Sequence, residues 1–111
     1  MDSPHGLFGS NARSKVLVAI GLLRESYARE IARVTSVPLV SVQRIIRNLE
    51  RDGIVVGRVM GSTRLLTLNP RLYGVNELES FLTKYSTRMP ELSEAISSLR
   101  RQPRRSGKEI T

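Results

Sequence analysis

The chain has 111 residues, 40% of them hydrophobic and 5% aromatic, with a formal net charge of +8. That length fits one domain whose core must be built from Leu, Ile and Val rather than from rings. The absence of cysteine excludes disulfides, thiolate metal sites and a cysteine nucleophile. With no bilayer-length apolar run and no basic-then-apolar leader, no membrane partner is expected and the expected location is the cytoplasm.

The charge is unevenly spread. Arg100, Arg101, Arg104, Arg105 and Lys108 stand against Glu109 in the last twelve residues, a net of +4, and the remaining +4 lies in the rest of the chain. A basic balance favours polyanions through counterion release, and it also describes an ordinary solvated surface. Charge alone does not choose between the two.

Residues 1–9, MDSPHGLFG, are rich in helix breakers and read as a flexible N-terminal arm, with Leu7 and Phe8 able to dock on the body. His5 is the sole histidine, and nothing near it completes a catalytic or metal site. Ser10 is a candidate cap for a helix over residues 11–23, whose Val16, Leu17, Ile20 and Leu23 recur at helical spacing as a buried stripe. Ser26 is a candidate cap for a short helix over 27–34, with Glu30 one place beyond the capping-box position and Ala28, Ile31 and Ala32 forming a small-residue face.

Thr35 to Pro38 read as a turn, with Pro38 at the first helical position, where its missing N–H costs nothing. The next helix runs over 38–52 and ends at Gly53. Val42, Ile45, Ile46 and Leu49 give it an apolar row at i, i+3, i+4 and i+7. Its opposite face carries Val40, Gln43, Arg44, Arg47, Asn48 and Arg51. A helix of this kind packs against a core and still offers hydrogen-bond donors to a groove.

Residues 54–60 and 63–68 read as strands joined by Gly61-Ser62, a type II′ hairpin in which Met60 faces Thr63 and Val59 faces Arg64. Val55, Val59, Leu66 and Leu68 then share the face expected to pack on the helices, and Arg58, Thr63 and Thr67 the other. Asn69-Pro70 ends the hairpin. Asn76 is a candidate cap for a helix to about residue 88, and Pro90 opens another to about 101. The remainder, 102–111, reads as a disordered basic tail. The expected fold class is mainly α with a small β-hairpin.

The stretch REIARVTSVPLVSVQRIIRNLERDGIVVGRVMGSTRLLTLNP resembles the winged helix-turn-helix of small prokaryotic transcriptional regulators of the broad ArsR-like and MarR-like group. The likeness rests on a helix, a turn, a second helix ending in Leu49-Glu50-Arg51-Asp52-Gly53-Ile54-Val55, and the β-hairpin that follows. It covers roughly residues 7–70. It implies a DNA-binding unit over 10–73, followed by C-terminal helices over 74–101. Metal sensing in that group depends on Cys and His clusters that this chain lacks, so no metal or cofactor is implied.

The resemblance and the side-chain chemistry together imply a sequence-specific regulator of double-stranded DNA, acting as a dimeric repressor. The major groove, about 12 Å wide, admits one helix. Gln43 and Arg44, nearer the helix start, suit base edges. Arg47, Asn48 and Arg51 suit phosphates, and Ser41 completes the set. Leu39 and Val40 at the helix mouth match either thymine methyls or the apolar patch of a protein partner. Arg58, Ser62 and Arg64 on the hairpin either reach the minor groove or backbone or serve cross-strand packing. Ser26 and Tyr27 begin a helix whose N–H groups suit a phosphate.

Leu78, Phe81, Leu82, Tyr85, Leu92, Ile96 and Leu99 either complete the monomer core or form a homodimer seam, with the seam favoured. A twofold dimer would set two reading helices about 34 Å apart on a palindromic site. Two other function classes compete. A protein–protein adaptor built on the same fold would bind no specific DNA, and an enzyme would need a catalytic constellation, for which no residue set is evident. The sequence names no small-molecule effector.

Overall fold

The computed structural model describes residues 10–101, so the expectations for the arm at 1–9 and the tail at 102–111 lie outside the described residues. Helix α1 spans Asn11–Leu23. Ser10 caps it as expected, its Oγ accepting the Arg13 N–H at 3.0 Å. The helix is not one-sided, as its spacing suggested. Val16, Leu17, Val18, Ala19 and Ile20 are buried in succession, whereas Leu23 is only half-buried. A helix that is apolar all round belongs inside a fold, and the other helices and the hairpin pack around this one.

The exit from α1 is a γ-turn. Arg24 takes φ 71° and ψ −63°, and the Glu25 N–H donates to the Leu23 carbonyl at 2.8 Å. This conformation is rare and strained for a residue with a side chain. Beyond the turn, Ser26 does not cap a helix. Its N–H and C=O pair with Leu66 at 3.1 and 2.8 Å as an isolated β-bridge. The cap of α2 (Ala28–Thr35) is Tyr27, whose N–H donates to Glu30 Oε1 at 3.0 Å. Counted from Tyr27, Glu30 occupies the capping-box position.

Ser36 closes α2 in the left-handed conformation, at φ 60°. Buried Val37 pins the turn, and its N–H is received by Thr35 Oγ1 at 3.3 Å. Helix α3 spans Leu39–Arg51. Pro38 is its cap rather than its first helical residue, because its ψ of 142° is extended and its carbonyl accepts the Ser41 and Val42 N–H groups. The C-terminal stop is as expected. Gly53 takes φ 79°, its N–H donates to Glu50 O at 3.0 Å, and the Ile54 N–H donates to Leu49 O at 2.9 Å. That bond pair is a Schellman motif. Val42, Ile45, Ile46 and Leu49 are all buried, as the apolar row predicts.

Strands β1 (Val55–Met60) and β2 (Thr63–Leu68) form an antiparallel hairpin with the expected register, Met60 against Thr63 and Val59 against Arg64. Gly61 has φ 67° and Ser62 has no positive φ, as a type II′ turn requires. The faces differ from expectation at two points. Val59 lies on the inner face but reaches past the body and is 70% exposed, while Leu65 on the other face is buried.

Helix α4 spans Val75–Tyr85 and is capped by Gly74 at φ 78°, not by Asn76. It does not continue to Arg88. A 3₁₀ turn, Ser86–Arg88, follows, where Ser86 and Thr87 hydroxyls donate to the Thr83 and Lys84 carbonyls. Helix α5 spans Pro90–Arg101, as expected. Gly21 lets α4 approach α1 closely, since a Cβ there would stand 2.8 Å from Leu82 Cδ1. Arg24 and Glu79 add an ion pair at 3.0 Å between the γ-turn and α4. Arg100 of α5 donates to the Leu22 carbonyl.

Leu82, Leu92 and Ile96 are buried in the same cluster as Val16, Ile31 and Leu49. The expected dimer seam is therefore corrected at those positions, which complete the monomer core. Leu78, Tyr85 and Leu99 are partly buried against that core, and Phe81 is 43% exposed and stacked on Tyr85 at 5.5 Å. The architecture is mainly helical with one two-stranded antiparallel hairpin. No helix among the described residues is long and apolar enough to cross a membrane.

A core role for α4 sets a measurable expectation. Leu82→Ala should lower the unfolding free energy by about 3 kcal/mol, read from urea melts, with the loss independent of protein concentration. A seam residue would instead make that loss concentration-dependent.

Candidate functional site

The apolar row of α3 faces inward, so helical geometry turns the positions between those residues outward. Val40, Gln43, Arg44, Arg47 and Arg51 are all exposed along this outer side. Leu39, Ser41 and Asn48 are half-buried at its borders. Asn48 Oδ1 accepts from Arg51 Nη2 at 2.8 Å, which draws the Arg51 guanidinium back along the helix.

Residues 26–68 hold seven arginines and three acids, a net of +4. Each acid is engaged away from the outer side of α3. Glu30 receives the Tyr27 N–H. Asp52 pairs with Arg13 of α1 at 3.7 Å, and Glu50 pairs with Arg64 of β2. Among the described residues, no carboxylate lies within ion-pair distance of Arg44, Arg47 or Arg58. The outer side of α3 is thus an acid-free stripe of long donors with one valine near its start.

Arg64 is not a free cation. Both of its terminal nitrogens face the Glu50 carboxylate, and this hydrogen bonding raises its pKa above the ordinary guanidinium value. The pair ties the hairpin to α3. Gly57 lies beneath the crossing, and a Cβ there would stand 2.7 Å from Arg64 Cζ and 2.9 Å from Glu50 Oε2, so that the two flexible side-chain ends would have to shift. Ser62 is exposed in the turn itself, and Arg58 is exposed on β1, one pair further from the turn than Arg64.

Ser26 is withdrawn from the expected contact set. Its side chain is fully buried and its Oγ has no hydrogen-bond partner, because the residue serves as a rung beside β2. Tyr27 is half-buried at the start of α2. Sequence reasoning did not anticipate Glu50 as the hairpin's anchor, a contact fourteen residues apart with no local signature. Arg29 and Arg33 are both exposed on α2.

A separate shallow groove of about 350 Å³ lies between α1, the foot of β2 and α4, lined by Gly21, Arg24, Leu68, Val75 and Glu79 among others. Its polar rim is the Arg24–Glu79 pair. No cluster of His, Cys, Asp and Glu among the described residues could hold a metal ion. The chain matches no protein-family model, no curated protein and no solved structure.

The Glu50–Arg64 pair is partly exposed, so its stability contribution is small. Arg64→Ala should destabilise the protein by under about 1 kcal/mol, with the difference shrinking in high salt. Thermal melts at two salt concentrations read this directly. A large, salt-independent loss would show that Arg64 contributes chiefly through packing.

Proposed function

We propose that this chain is a winged helix-turn-helix regulator that binds double-stranded DNA, with α3 as its reading helix and the β1–β2 hairpin as its wing. The observation that carries this reading is the acid-free stripe of Gln43, Arg44, Arg47 and Arg51 on a helix whose other side is locked into the core. Arginine forks onto guanine and glutamine onto adenine, and further arginines neutralise phosphates. The net charge of +8 supplies the long-range attraction. Arg58 and Ser62 at the wing reach the flanking backbone or minor groove, while Arg64 holds the wing against α3. Operator occupancy then makes the protein a repressor. Of the seven residues expected at a twofold seam, Phe81 is the exposed member, flanked by half-buried Leu78 and Tyr85.

A second reading has one specific observation in its favour. Val40 is 67% exposed at the head of α3, as an adaptor's docking patch would require.

Gel shifts on random and genomic duplexes across a salt series separate the two. Binding should weaken linearly in log–log form with added salt, and Arg47→Ala should flatten the slope by about 0.9 if that guanidinium neutralises one phosphate. Arg44→Ala should instead reduce discrimination between sequences. Absence of duplex binding at low salt would end the DNA reading.

A further inference from the structure

Among the exposed large hydrophobic residues, Val56, Val59 and Met60 lie on the hairpin and Tyr73 and Phe81 lie at or near α4, leaving Val40 as the one on α3. Nothing in the fold accounts for it. A β-branched residue is a weak helix former, and at 67% exposure Val40 gains little from packing. Gln43, Arg44 and Arg47 follow it at i+3, i+4 and i+7, so all four share one side of the helix.

The edges of a major groove are mostly donors and acceptors, and the C5-methyl of thymine is their one apolar group larger than a C–H. An isopropyl group against a donor or acceptor would strip water from it without replacing its hydrogen bond. The methyl offers the largest apolar contact. A helix advances about 1.5 Å per residue, so Gln43 stands about 4.5 Å beyond Val40, comparable to one base-pair step of about 3.4 Å. Its amide is the group that forks onto adenine.

We infer that Val40 is a specificity-determining residue that reads a thymine methyl, and that Gln43 reads an adenine in the neighbouring base pair. The inference rests on the DNA reading above. It gives the recognised site a minimal signature, a thymine beside an adenine-bearing pair, both placed under the first two turns of α3.

The test begins by enriching duplexes from a random pool with the full-length protein. Each thymine of the enriched site is then replaced singly by uracil, which removes only the methyl. One replacement should weaken wild-type binding about fourfold, the weight of one buried methyl-sized group. Val40→Ser, at an exposed position that leaves the core intact, should bind the thymine and uracil duplexes equally. Gln43→Ala should relax preference at the adjacent pair alone. An enriched site at which no uracil replacement matters, or at which Val40→Ser keeps the full methyl effect, overturns the inference and leaves the DNA reading standing. A pool that yields no enriched site, with Val40→Ser instead abolishing capture of a protein partner, overturns both.

Discussion

The burial of α1 on every side fixes where the other elements go. Val16 to Ile20 have no solvent-facing member, so α2, α3, α4, α5 and β2 must together cover them. Each buried Val, Leu or Ile contributes about 1.5–3 kcal/mol, whereas an exposed ion pair contributes about 0–1. The apolar term therefore decides the arrangement, and the charged residues settle on what surface is left. For α3 this has a direct result. Val42, Ile45, Ile46 and Leu49 must turn to the core, and the long donors are turned out by the same rotation. Gly21 tightens the system by admitting Leu82 where any side chain would collide.

The hairpin is held at two levels of different physical character. Near its middle, Ser26 gives β2 a pair of backbone hydrogen bonds at Leu66, shielded from solvent and insensitive to salt. Across the first strand, Glu50 reaches Arg64 over Gly57 through charges that remain partly wet. The body thus fixes the middle of the hairpin through backbone hydrogen bonds and ties Arg64, nearer the turn, to α3 through charge. The turn at Gly61-Ser62 has neither restraint.

Much of this is legible in the chain because the signals are local and redundant. The apolar row of α3, its glycine stop and the hairpin register each follow from spacing within a few residues, and each matches. The failures have a common cause in long-range packing. Ser26 has the chemistry of a cap, yet the γ-turn at Arg24 delivers it to Leu66, forty residues away in sequence. Alternation puts Leu65 on a solvent face because it describes a strand in isolation. The row Leu82, Leu92 and Ile96 reads identically whether it covers its own core or a second copy, and only the central position of α1 decides for the core. The outward residues of α3 are legible as a face, while Arg64 is removed from the free cations by a contact no local pattern encodes.

The hairpin's two outer edges are not alike. Ser26 covers β2 at Leu66, but β1 has no strand beside it among the described residues. An uncovered edge displaying Val56, Val59 and Met60 is a template for unwanted strand addition by another chain. Its defences are its six-residue length, the glycine at 57 and the charge of Arg58. Arg58 therefore matters independently of any ligand: an exposed charge on that edge opposes strand addition by another copy. A partner seated on the hairpin would neutralise that charge and, by covering the same edge, take over its protective task.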